Sequence, residues 1–383
     1  MSASIPFDRP YMTGMELKHI SRAVSLGNIS GDGEFTQASC RLMESRFRIH
    51  KVLLTPSCTA ALEIAAMLYE IKPGDEFIVP AYTFVSSANA FARLGAKPVF
   101  VEIREDTLNI DERQIEAAIT DKTRAICAVH YAGIACDMDA ILEVAQKHDL
   151  DVVEDAAQGV HAYYHGRALG SIAPVGAFSF HSTKNYTCGE GGAICINDPD
   201  LVERAEIIRE KGTNRSKFLR GEIDKYTWVD IGSSYVPSEI SAAFLFGQLE
   251  MLDTISTRRR EIFEFYRQGL SGLAERNLLQ IPYVPTGYES NCHMFYILMP
   301  DTSTRGALIS HLKAQGIQTA FHYVPLHTSL MGRQFGYKPG DLPITEDVSE
   351  RLLRLPFFYQ ITPEEQHFVV DQIRAFVMSS SRQ

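Results

Sequence analysis

The sequence predicts an α/β fold, a mostly parallel central sheet flanked by helices, with a smaller α+β domain at the C-terminal end. Three observations predict it. Short apolar runs alternate with amphipathic helical stretches, which requires right-handed crossovers and a mostly parallel sheet. Some of these runs stop at acids, hydroxyls or small residues, as in Asp151-Val152-Val153-Glu154-Asp155, the pattern of a strand whose carboxyl end faces a ligand. Length is the third: 383 residues favour two domains and can bury a large core.

Residues 1 to 15 read as irregular, with Pro6 and Pro10. Met15 to Leu26 has helical spacing through Leu17, Ile20 and Val24; a turn at Gly31-Asp32-Gly33 precedes a second helix, Phe35 to Phe47. Lys51 to Leu54 is a strand, followed by Thr55-Pro56-Ser57-Cys58-Thr59 and a helix from Ala60 to Tyr69. Phe77 to Pro80, Lys97 to Val101 and Ala125 to His130 are further strands, with helices at Val85 to Leu94 and Ile115 to Ile119. Helix Met138 to His148 leads to the Asp155 strand. Two apolar runs, at Ala177 to Phe180 and Ala193 to Ile196, then enclose Lys184 and the Gly189-Glu190-Gly191-Gly192 turn.

Leu201 to Lys211 is helical, and a long helical stretch follows Pro237, from Ser238 to about Leu273. The domain change is placed within it, giving a large domain of residues 1–250 and a small one of residues 251–383. The small domain alternates strand His293–Met299, helix Arg305–Gln315, strand Ile317–Val324 and helices Val348–Leu353 and Pro363–Val377. Pro339 to Pro343 reads as a surface loop.

Apolar residues make up 45% and charged residues 22%, ordinary for a globular enzyme. A formal charge of −10 argues against nucleic-acid or anionic-membrane partners. An anionic ligand would need a local basic patch. The dense basic stretch is Lys211, Arg215, Lys217, Arg220 and Lys225, which is either that patch or a solvated face. The seven cysteines lack CxxC spacing and read as reduced cytoplasmic thiols, with no disulfide frame and no metal site expected. No apolar run approaches the ~18 residues of a membrane span, and the first residues lack a signal-peptide core.

The chemistry centres on Lys184, between two core strands and beside a glycine turn. It is either a surface lysine at a strand end or a partly desolvated amine able to form a Schiff base with a carbonyl. Asp155 is either a helix cap or a buried carboxylate that needs a cation, such as a protonated pyridine nitrogen. Gln158 can hydrogen-bond a ring hydroxyl without adding charge. The hydroxyls at Ser57 to Thr59 either cap the following helix or hold a phosphate at its positive end.

Asp155 with Gln158, Ser179-Phe180-His181-Ser182-Thr183-Lys184-Asn185 and the Gly-Glu-Gly-Gly turn resemble the DegT/DnrJ/EryC1/StrS sugar aminotransferases, over about residues 5 to 375. The resemblance implies an aspartate-aminotransferase-like fold of type I and pyridoxal 5′-phosphate as cofactor. Lys184 and Asp155 become the catalytic pair, with Cys58, Thr59 and Ser179 at the phosphate and Phe84 and Gln158 at the ring. It implies a homodimer with shared sites, in which a residue of the Gly232-Ser233-Ser234-Tyr235 segment reaches the neighbour's phosphate. Here Ser234 stands where many relatives have asparagine. His181, Arg215, His322 and His327 are the candidate substrate contacts, the last two from His322-Tyr323-Val324-Pro325-Leu326-His327.

A narrower likeness runs through KVLLTPSCTAAL (Lys51–Leu62), HSTKNYT (His181–Thr187), REKGTNR (Arg209–Arg215) and DKYTWVDIGSSY (Asp224–Tyr235). It points to members that move the amino group of L-glutamate to C4 of dTDP-4-keto-6-deoxy-D-glucose. The alternative is another nucleotide keto-sugar, 3-keto or 4-keto. Three rivals fit less well. A nicotinamide dehydrogenase lacks its G-x-G-x-x-G here. Dehydratase relatives carry histidine in place of Lys184. A non-enzymatic regulator would need an added DNA-reading module, and the first 50 residues show no basic helix-turn-helix.

Overall fold

The computed structural model describes residues 4–380. Its centre is a seven-stranded sheet in the order Lys51–Thr55, Gly192–Ile196, Val175–Ser179, Asp151–Asp155, Thr123–Val129, Glu76–Pro80 and Lys97–Val101. Pairings from Val175–Ser179 to Lys97–Val101 are parallel, while Gly192–Ile196 runs antiparallel to both neighbours. The mostly parallel sheet expected from the alternation is therefore present.

Consecutive residues of these strands enter opposite cores, the period-two geometry of a sheet covered on both faces. Val152, Ile126 and Cys195 join one buried cluster, and Val153, Cys127 and Ile194 join the other. One face is covered by helices Glu34–Phe47, Met138–His148 and Glu239–Leu249, the other by Cys58–Leu68 and Val85–Ala92. Ser57 caps helix Cys58–Leu68 by accepting from Ala60 N at 3.1 Å, and Asp137 caps Met138–His148 through Ala140 N at 3.2 Å. Side-chain oxygens at these junctions start each helix at the carboxyl edge of the strand before it.

A third cluster gathers Ile5 with residues from Ile262 to Val377, around a two-stranded pairing of Tyr296–Leu298 with Leu352–Arg354. Three expectations change here. The helical stretch after Pro237 is two helices, Glu239–Leu249 and Leu252–Ala274, with Met251 non-helical between them. Residues 317–324 form only isolated bridges, Ile5 with Ile317 and Ala320 with Arg354, because Arg354 already pairs along Tyr296 and Tyr323 has a left-handed φ of 41°. The late helix starts earlier, as Pro343–Arg351, and Leu352 turns extended to enter the small sheet. Among the described residues no helix is long and apolar enough to cross a membrane.

Candidate active site

The carboxyl edge of the large sheet opens on a cavity of about 540 Å³. Strand ends and the turns after them supply its floor: Ser57 to Thr59, Thr83 and Phe84, His130, Asp155 and Ser179. Gly192 brings the first of these into place. A Cβ there would lie 2.3 Å from the Ser57 carbonyl carbon and 2.4 Å from Cys58 N, so only glycine lets this helix start lie against the strand. Ser57 Oγ accepts from Ala60 N, which leaves the N–H groups of Cys58 and Thr59, the first two helical residues, without an intrahelical acceptor. Thr59 Oγ1 meets Ser86 Oγ at 2.7 Å.

Asp155 closes its strand with 4% of its surface exposed. Ser87 Oγ donates to its Oδ2 at 2.6 Å and Ala157 N to its Oδ1 at 3.1 Å. No basic side chain forms an ion pair with it among the described residues, so this buried carboxylate has hydrogen-bond donors and no countercharge in contact. Lys184 lies on the same cavity wall, part-buried. Burial lowers its pKa below the usual lysine value, against the smaller opposing pull of Cys58 and Asp155.

The opposite wall comes from the C-terminal part of the chain: His293, His322, Tyr323 and Arg354. Asn185 Nδ2 donates to Asn291 O at 3.0 Å, which orients its Oδ1 to accept the Nδ1 proton of His293 at 3.0 Å. His322 Nδ1 shares a 2.7 Å hydrogen bond with the Tyr131 hydroxyl, and its ring stacks on Tyr323 at 3.7 Å. Burial holds both imidazoles well below the ordinary histidine pKa, so both are neutral at pH 7. Gln158 Nε2 donates to the Tyr323 hydroxyl at 2.8 Å, while its Oε1 accepts from Ala132 N at 2.7 Å.

The DegT/DnrJ/EryC1/StrS aminotransferase family model matches residues 11–374. The chain belongs to this family. It is 34% identical over 382 residues to the spore coat polysaccharide biosynthesis protein SpsC of Bacillus subtilis, covering 97% of each chain. Among solved structures it resembles DesV of S. venezuelae in complex with a ketimine intermediate (TM-score 0.89, 32% identity, 98% of this chain and 99% of that one). It also resembles the PLP-form of the putative sugar aminotransferase Spr1654 of Streptococcus pneumoniae, with TM-score 0.90, 27% identity and 98% and 99% coverage. The fold is that of an aminotransferase and its cofactor is pyridoxal 5′-phosphate.

The residues present fit that cofactor. A protonated pyridine nitrogen is the cation that buried Asp155 lacks, and the open N–H groups of Cys58 and Thr59, with Ser179 beside them, suit its phosphate. In this aminotransferase one cavity is lined by Cys58, Thr59, Phe84, Asp155, Gln158, Ser179, His181, Lys184 and His322 of the residues singled out in the sequence. Capping and an open helix end coexist at Ser57 to Thr59, because the cap takes only the Ala60 N–H.

Three expected site residues lie outside this cavity. His327 is wholly buried and bonds Glu346 Oε1 at 2.9 Å, a structural histidine of the turn below His322; this corrects its placement as a substrate contact. Arg215 pairs with Glu210 at 2.9 Å, and Ser234 bridges Glu210 through the backbone on the surface. The basic stretch is also neutralised locally: Lys211 pairs with Glu210, Lys217 with Glu203, and Arg220 with Glu206 and Glu222. Glu203, Glu206 and Glu210 come from the preceding helix and its end and Glu222 from the turn after Arg220, so within one chain these four cations are no bare anion patch.

The sequence reading passed over His130, His293, Tyr323, Arg354 and Ser87. His130 is buried at a strand end, with Nε2 3.0 Å from Glu154 Oε2 and Nδ1 accepting from Cys136 N at 3.1 Å. A signal existed for it, since it ends the strand read from the sequence, Ala125 to His130, as Asp155 ends its own. For His293, in the segment before strand Tyr296–Leu298, and Arg354, at the end of that strand's partner, local sequence held none.

Proposed function

We propose that this aminotransferase transfers the amino group of L-glutamate to C4 of dTDP-4-keto-6-deoxy-D-glucose, giving dTDP-4-amino-4,6-dideoxy-D-galactose. The observation that carries the transaminase chemistry is the pairing of a desolvated Lys184 with a countercharge-free Asp155 on one cavity. The choice of sugar rests on the narrower likeness through Lys51–Leu62, His181–Thr187, Arg209–Arg215 and Asp224–Tyr235. Relatives named for polysaccharide biosynthesis and sugar amination support a sugar substrate.

Bound pyridoxal phosphate supplies an aldehyde that captures amines and a ring that accepts electrons. Lys184 Nζ would hold the cofactor's aldehyde and, when free, would be the base placed to take up and return a proton at the donor's α-carbon. Asp155 would hold the ring nitrogen in its protonated form, and Ser87 and Ala157 N fix the carboxylate placed to do so. Gln158, held at both ends of its amide, positions the ring hydroxyl, and Phe84 covers the ring from the helix start.

We further propose a cytoplasmic homodimer in which Arg215 and Ser234 complete the partner's site, and a division into units 1–250 and 251–383. Apolar exposure in the same segment supports an interface there: Trp228 is 78% and Ile231 73% exposed. The separate apolar cluster from Ile262 to Val377 supports the division.

The test of the substrate is a panel of nucleotide keto-sugars with glutamate, with products assigned by NMR. An axial C4 amine on the dTDP-sugar is expected. An equatorial C4 amine, an amine at C3 or preference for a GDP- or UDP-sugar overturns the substrate and leaves the aminotransferase assignment standing.

A further inference from the structure

His293 lines the active-site cavity with 6% of its surface exposed, and two observations single it out. The first is its tautomer. Nδ1 carries the proton, because the Asn185 amide is turned by its bond to Asn291 O so that its Oδ1 faces the ring at 3.0 Å. Nε2 is therefore a bare lone pair, and it has no hydrogen-bond partner among the described residues. The second is how firmly the segment is held. Cys292, just before it, has a left-handed φ of 51°, a conformation that a non-glycine residue keeps only where its surroundings impose it. They do so here. Asn291 Nδ2 donates to Gln158 O and Val160 O, both at 2.8 Å, while Arg259 holds Cys292 O at 3.1 Å and His293 O at 2.5 Å. A lone pair fixed in this way at a cavity wall calls for a donor.

Lys184 can supply that donor. Asn185, which sets the tautomer, is the next residue along the chain, so the imidazole is tied to the lysine's own backbone. Lys184 and His293 line the main cavity together, and they share a second, water-sized hollow of about 10 Å³. Nζ of Lys184 forms no hydrogen bond among the described residues. A donor without an acceptor and an acceptor without a donor thus border the same spaces. Resting on the aminotransferase reading above, we propose that His293 is a positioning residue for Lys184: once the lysine is a free amine, Nε2 of His293 accepts one Nζ–H and aims the remaining lone pair at the proton it takes. A neutral acceptor suits this task. The charged groups that weigh most on the ring are Lys184, Arg259 and Arg354, all cations, with neutral His322 beside them, so the imidazole stays uncharged and keeps its lone pair. A carboxylate in its place would hold the lysine as an ammonium ion, with no lone pair to offer.

The first measurement needs no cofactor. Acetic anhydride acylates neutral amines, and mass mapping reads its yield at Lys184 across pH in the full-length apoprotein. An acceptor holds an ammonium ion more strongly than an amine. His293→Leu should therefore lower the Lys184 midpoint by about one pH unit or more, the equivalent of one hydrogen bond to a charged group. His293→Gln, whose amide can both donate to Asn185 and accept from Lys184, should restore it. In cofactor-loaded protein, His293→Leu should slow the L-glutamate half-reaction about 10- to 100-fold. The dissociation constant of α-methyl-L-glutamate, which has no α-hydrogen to lose, should stay unchanged, and α-deuterated glutamate should show a larger isotope effect. Where His293→Leu folds poorly, the ring-nitrogen NMR spectrum of the histidines decides: Lys184→Met should move the Nε2 signal that His293→Gln removes. An unmoved Lys184 midpoint overturns the proposal, as does a Gln variant no better than Leu or an Nε2 signal indifferent to Lys184. If no amino donor converts the wild-type cofactor spectrum, the aminotransferase reading fails, while the apoprotein midpoint still decides the role of His293.

Discussion

Ser87 donates a 2.6 Å hydrogen bond to Oδ2 of Asp155, and its own oxygen meets Thr83 Oγ1 at 2.8 Å. The contact ties the first turn of helix Val85–Ala92 to the end of strand Asp151–Asp155, two elements far apart in the chain. It leaves the Asp155 carboxyl group fixed at the cavity, with no basic side chain paired to it among the described residues. Asp155→Asn should therefore bind cofactor and lose most of its activity, by about 3–5 kcal/mol in the barrier, since an amide cannot match a charged partner in low dielectric. Ser87→Ala, which removes one hydrogen bond to the charge, should cost about 1.5–3 kcal/mol. Near-normal kcat in Asp155→Asn would make Asp155 a helix cap and nothing more.

Lys184 is expected to carry the cofactor. The purified protein should be yellow, and borohydride should fix the cofactor to Lys184, as read by mass mapping of the reduced adduct. Lys184→Ala should abolish turnover while leaving the denaturation midpoint nearly unchanged, because a part-buried lysine at a strand end is no packing element. An adduct on another lysine, or none on saturated protein, sinks the assignment.

Acid sensitivity follows from His293 and His322, both held well below the ordinary histidine pKa by burial. Below about pH 6.5 the unfolded chain takes up protons on these histidines that the folded chain does not. Stability is thus full above that range and falls on acidification by about 1.4 kcal/mol per pH unit for each histidine, until the folded pKa is reached. Denaturant unfolding at pH 7.5, 6.5 and 5.5 checks this. His293→Gln should flatten the slope by close to one proton; an unaltered slope would show that His293 titrates alike in both states.

Sharing of the site between subunits predicts complementation. Mixing Lys184→Ala protein with a variant impaired through Arg215 and Ser234 should restore activity, because one site of each heterodimer then has all working parts. Native mass spectrometry confirms the exchange. No recovery after confirmed exchange counts against sharing and leaves Arg215 as the partner of Glu210 alone.

The sequence by itself determined the strand–helix alternation and the cap at Ser57, and it singled out Lys184 and Asp155 at strand ends, for these depend on period, caps and local residue type. Tertiary structure alone decided the rest. Local apolar content reads alike for a paired strand and an unpaired segment, so residues 317–324 looked like a strand and Leu352–Arg354 like the end of a helix until Tyr296–Leu298 chose its partner. His322 and His327 are equivalent in sequence, yet contacts from Tyr131 and Glu346 send one to the cavity and bury the other. The basic stretch looked available because the carboxylates that claim it, Glu203, Glu206 and Glu210, are brought into range only by helical folding. Arg354 is the opposite case: an arginine in an unremarkable run, without an ion pair among the described residues and placed at the cavity because the small sheet carries it there. A charge is defined by what surrounds it, and that is fixed only once distant segments pack.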